Sequence, residues 1–192
     1  MAPRKKKPST RELIDQYTDL SVRVDAYDVS ANASINNNIR SPESALYRDD
    51  EEPVYEFSTH LEISGTSIGP ASRAGDTYDL SLYSENRPAR GVNLPLKALQ
   101  ELDEHDSPVY RTYRGAPVPV YREPPGIALI KKDRGKPRWT VWVPALPHFV
   151  SDVLVLLGQD RQVYITLYER KVERRRWLQY LTFQTNNPLD EE

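Results

Sequence analysis

The 192-residue chain contains no cysteine. That excludes disulfides, thiolate nucleophiles and cysteine metal sites together. No stretch approaches the roughly 18 consecutive apolar residues of a membrane-spanning helix. Arg4, Lys5, Lys6 and Lys7 are not followed by an apolar run, so 1–10 does not read as a secretory signal. The expected setting is soluble and cytoplasmic, with no membrane partner. One methionine and three phenylalanines leave the core to Leu, Val, Ile and twelve tyrosines. Eight glycines against sixteen prolines point to stiff connections and argue against a long-helix bundle. There is no phosphate-binding glycine loop, dinucleotide fingerprint, internal repeat or heptad pattern.

Charge is plentiful but unevenly placed. The net charge is −2, yet 12–107 carries 7 basic and 19 acidic residues, while 108–185 carries 14 basic and 6 acidic. The halves therefore stand at −12 and +8. Two consequences are open: the halves pack on one another, or the basic half meets an external anion.

The organisation expected is a flexible basic arm at 1–10, a single β-rich domain over 11–185 and an acidic tail at 186–192. Ser9, Thr10, Arg11 and Glu12 fit a capping box, so a short helix is expected to end near Leu20. Alternation of Val22, Val24 and Ala26 with charged residues predicts a strand over 20–29, followed by a polar loop at 32–38. Ser41 and Pro42 suit the start of one helical turn through Tyr47. Period-two alternation in 54–63 and 76–84 predicts an antiparallel pair. Asn93, Pro95 and the stripe Leu96, Leu99 and Leu102 predict a helix to about His105. Five prolines in 107–125 predict an irregular segment with one short edge strand at 109–114.

The segment 126–185 holds all three tryptophans and the longest apolar runs, which marks it as the anchor of the core. It reads as a hairpin (127–131 with 139–143), a helix and a second hairpin (162–169 with 176–184). The helix rests on the stripe Phe149, Val150, Val153, Leu154 and Leu157. A buried strand at 153–157 is the alternative. The last pair carries apolar residues on both faces and is expected to be central. Together these elements predict an α+β fold. It would be mainly antiparallel β-sheet, a small barrel or sandwich, with two or three short helices packed on it.

Three patterns bear on chemistry. Gly65, Thr66, Ser67, Ile68 and Gly69 match the G-x-S-x-G nucleophile elbow, which would make Ser67 a hydrolase nucleophile. That motif needs a strand turning sharply into a helix, and here Pro70 and a second strand follow. His60 with Glu62, and Glu101 with His105, each offer two ligands where a zinc site needs three or four. No metal and no cofactor is expected, and the chain reads as a non-enzymatic binding protein.

Basic clusters are the third pattern. Lys131, Lys132, Arg134, Lys136 and Arg138 crowd one hairpin tip, and Arg170, Lys171, Arg174, Arg175 and Arg176 crowd the other. Side by side, the tips would form one cationic ridge able to neutralise phosphates. Tyr110 and Tyr113 alternate with arginines, as on a base-stacking surface. Nucleic acid is therefore the expected partner. The alternative is a protein-interaction or assembly module whose acidic and basic faces meet a protein partner or another copy of the chain.

Overall fold

The computed structural model describes residues 17–36, 54–85, 95–124, 126–172 and 174–190. Nine strands lie in these ranges: β1 (Tyr17–Ile35), β2 (Tyr55–Gly69), β3 (Thr77–Glu85), β4 (Tyr110–Tyr113), β5 (Ala116–Pro119), β6 (Ala128–Lys132), β7 (Arg138–Pro144), β8 (Tyr164–Val172) and β9 (Arg175–Gln184). One α-helix, α1 (Pro147–Leu157), joins β7 to β8. Seven strands close into a barrel in the order β1-β2-β3-β7-β6-β9-β8. Within this barrel β3 and β7 pair in parallel and the other neighbours pair antiparallel.

The α+β expectation is thus corrected: the protein is mostly β, and α1 is the single α-helix among the described residues. The missing helices have separate explanations. The expected helix at 9–20 lies outside the described residues up to 16, and Tyr17 onward belongs to β1. The turn at 41–47 lies outside them as well. Between Pro95 and His105 there is only a 3-10 turn, Leu96–Leu99, none of whose residues is buried. A leucine stripe stabilises a helix only when something covers it. Here the backbone pairs elsewhere: the Glu101 amide donates to the Val120 carbonyl and the Arg122 amide to the Leu99 carbonyl.

The barrel interior follows the period-two rule strand by strand. Leu20 and Val22, Leu61 and Ile63, Tyr78, Leu80 and Leu82, Val141 and Val143, and Ile165 and Leu167 all point inward and are buried. Closure leaves these strands few free edges. Helix α1 supplies Val150, Val153 and Leu157 to the same core, with Phe149 and Leu154 packed beside them. It packs against β2, β3 and β9, so the expected stripe is the one used and 153–157 is helical. The tryptophans divide. Trp139 is buried, whereas Trp142, three residues on, faces outward and stacks on Tyr83.

Direction along the barrel positions everything that follows. Strand β7 runs from Arg138 to Pro144 and leads into α1, so α1 sits at the end opposite the hairpin tips. Strand β1 starts beside Arg170, near the tips, and leaves β8 after Arg23. It then continues with β2 as a ribbon to Ile35 paired with Tyr55, in place of the polar loop expected from residue 32. Its bulge between Val24 and Ala26 lies opposite Gly65. A Cβ on Gly65 would lie 2.4 Å from the Arg23 carbonyl oxygen, so only glycine permits this approach. Among the described residues no helix is long and apolar enough to cross a membrane.

Candidate functional site: a cationic cleft at one barrel end

Both basic clusters sit on hairpin tips, as their placement between strand pairs requires. The β6–β7 tip turns through Gly135, whose φ of 75° is a left-handed value that favours glycine. Val172 pairs with Arg175, so β8 and β9 are joined through 173–174 alone. The two hairpins are neighbours because β6 pairs antiparallel with β9, Ile130 opposite Arg176. Their tips therefore emerge side by side at one end of the barrel.

A third connection joins them. The β2–β3 turn, 70–76, is held to the β6–β7 tip by the Thr77 amide donating to the Pro137 carbonyl at 2.8 Å. Its Arg73 enters a cleft of about 740 Å³ between the three connections. Lys131, Lys132, Arg174, Arg175 and Arg176 line the same cleft, with Asp76 the one acid in its wall. Arg73 belongs to the acidic half of the sequence, where a lone arginine in a turn carries no signal of its spatial neighbours.

Trp139 forms part of the cleft floor. The Arg73 guanidinium lies 3.8 Å from its ring centroid, Lys132 Nζ 5.1 Å and the Arg176 guanidinium 5.5 Å. Cations collect on an indole face because the ring quadrupole presents negative potential there. The indole Nε1–H donates to Asp76 at 2.8 Å, which fixes the ring, and Tyr78 stacks on it.

Beneath lies Glu169, which is 1% exposed. It continues the inward series Val163, Ile165 and Leu167, so the alternation aims a carboxylate into the barrel mouth. One oxygen, Oε1, accepts from Arg176 Nη1 and lies 3.5 Å from Arg73 Nη2. The other, Oε2, is buried with no hydrogen-bond partner. Arg73 Nη1 also donates to the Tyr78 hydroxyl at 3.2 Å. Burial pushes the Tyr78 phenol well above its ordinary range, with Arg73 acting in the opposite direction and Glu169 reinforcing the shift. Tyr78 therefore stays a neutral acceptor.

The basic tips also meet the chain's own acids, and the structure decides which do. Arg138 pairs with Asp79 of β3, Arg170 with Glu123 at 2.6 Å, and Arg176 with Glu169. Of these acids only Asp79 belongs to the acidic half. Lys131, Lys132, Arg134, Lys136, Lys171, Arg174 and Arg175 make no ion pair among the described residues.

Tyr110 and Tyr113 are not part of this cleft. They lie on β4, which among the described residues pairs with β5 in a separate two-stranded ribbon. Both are exposed, but three positions apart on a strand places them on opposite faces. The ribbon is tethered toward the basic end by the Arg170–Glu123 pair.

Ser67 lies within β2, not at a strand-to-helix turn. It is buried, and its hydroxyl donates to the Gly69 carbonyl at 3.1 Å. His60 and Glu62 approach to 3.7 Å, and His105 lies 3.7 Å from Glu104. Among the described residues no three His, Asp or Glu side chains gather as a metal site. Compared with protein families, curated proteins and solved structures, the chain matches none, so the chemistry of the cleft is argued from its own geometry.

Proposed function

We propose that this is a non-enzymatic nucleic-acid-binding protein that grips phosphates with the basic end of its barrel. The observation that carries the reading is the pairing of β6 with β9, which sets two basic tips beside Arg73 around one cleft. Seven of the tip cations have no acid partner among the described residues, and lysines and arginines so clustered would neutralise phosphates. Of Tyr110 and Tyr113, exposed on opposite faces of the tethered ribbon, one would stack on a base outside the cleft. A cytoplasmic setting belongs to the same proposal and agrees with a chain free of cysteine.

Titrating generic single- and double-stranded oligonucleotides at several salt concentrations tests this. Micromolar binding that weakens steeply with salt is expected, because phosphate neutralisation releases condensed counterions. No binding at low salt overturns the reading.

A second reading has its own observation. Beyond the barrel, the inner face of the β1–β2 ribbon carries Tyr27, Val29, Ile35, Tyr55 and Phe57, all exposed. Asp28, Glu56 and Glu62 line its other face. Apolar rows of this kind mark protein-interaction surfaces. On this reading the protein is an interaction or assembly module. Salt-sensitive oligomers in light scattering, together with indifference to oligonucleotides, are its expected signature.

A further inference from the structure

The cleft differs from a basic surface stripe in two respects. Its floor is closed, because Ile130, Trp139 and Glu169 beneath it are each 4% exposed or less. Its cations also converge: Arg73, Lys132 and Arg176 lie within 5.5 Å of one ring centroid. A compact anionic group can seat against such a floor, among the three cations.

Charge points the same way. Six cations line the wall against Asp76, with Glu169 below, leaving an excess of four positive charges. A backbone phosphodiester carries one negative charge. A terminal phosphate monoester carries about 1.5 to 2 at neutral pH and presents three acceptor oxygens on one phosphorus. Guanidinium forks match such a group better than isolated ammonium groups do.

Glu169 explains how the forks are held. A buried carboxylate is a poor source of stability, since an apolar replacement commonly serves as well. Here it anchors Arg176, and with the Tyr78 hydroxyl it holds Arg73 at the floor. Arg176 has no further hydrogen-bond partner among the described residues, so most of its five N–H donors remain for a ligand.

We infer that the cleft is a binding pocket for a terminal phosphate monoester, with Arg73, Arg176 and Lys132 as its ligands and Glu169 as their positioning residue. The strand that carries this phosphate is the nucleic acid of the preceding proposal, and the inference rests on that reading to this extent. A free nucleotide presents the same group.

The test compares one single-stranded oligonucleotide with a 5′-phosphate, a 3′-phosphate or no terminal phosphate, alongside a nucleoside 5′-monophosphate. At least tenfold tighter binding of one phosphorylated form is expected. Lys132→Ala, an exposed position, should reduce that ratio to threefold or less. Arg73→Lys, which keeps the charge but loses the fork, should reduce it as well while thermal unfolding confirms the fold. Glu169→Gln should erode the preference although it makes the site more positive, an outcome that general electrostatics does not give. Equal binding of all three oligonucleotides overturns the inference and leaves the nucleic-acid reading standing. Saturable binding of the nucleoside monophosphate without oligonucleotide binding supports the pocket and overturns the nucleic-acid reading. Binding of no probe overturns both.

Discussion

Glu169 and Arg176 are the pair on which the basic end turns. Arg176→Ala would leave the carboxylate at 1% exposure with Arg73 as its remaining partner. Removing one member of a buried pair strands the other charge. With Arg73 still near, a loss of about 3 kcal/mol is expected, the lower end for such pairs, read from urea unfolding. Tyr78 makes a second residue-scale prediction. Its folded pKa is raised by burial, so the folded protein keeps a proton that the unfolded chain loses above about pH 10. Its contribution to stability is therefore complete below that pH and is lost as pH rises toward the folded value. Denaturation midpoints measured from pH 9 upward should decline, and Tyr78→Phe should flatten part of the decline.

At the scale of elements, the hairpins are read best because each is a local object. Alternation and turn residues specify a strand pair without reference to the rest of the chain, and the pairs at 54–84, 127–143 and 162–184 are all present. The leucine stripe at 96–102 shows the converse: periodicity proposes a helix, but only a covering surface stabilises one, and none of Leu96–Leu99 is buried. Strand β1 runs past its expected end because β2 supplies partners to Ile35, and this pairing outweighs the weak β-propensity of Asn and Ser. The crossing of β1 over Gly65 is a narrow tolerance. Gly65→Ala would press a methyl into the Arg23 carbonyl and the Val22 side chain. An overpacking cost of about 1–3 kcal/mol is expected, measured by thermal or denaturant unfolding.

At the scale of the whole molecule, two charged regions lie at opposite ends of the barrel among the described residues. The cleft end carries Arg73, Lys131, Lys132, Arg174, Arg175 and Arg176, and the opposite ribbon carries Asp28, Glu56 and Glu62 on one face and apolar residues on the other. If about four phosphates are neutralised on a single strand, log K should fall with log salt at a slope near about −3. Reversing Lys132, Arg174 and Arg175 to glutamate should remove most of that slope in the same titration. The sequence by itself determined the strand pairs, helix α1 and the basic tips, whereas the inward aim of Glu169 was hidden because both faces of its strand carry apolar residues. The pairs, helix and tips follow from periodicity and turn chemistry, which act over a few residues. Only the tertiary structure decided that the sheet closes, that Trp142 faces out while Trp139 lies under three cations, and that Arg73 joins tips more than fifty residues away. It also decided that Tyr110 and Tyr113 stand apart on opposite faces of a separate ribbon. Barrel closure depends on long-range pairing such as β3 with β7 and β1 with β8, which no local pattern encodes. The cleft exists because those pairings bring three separate connections to one end of the barrel.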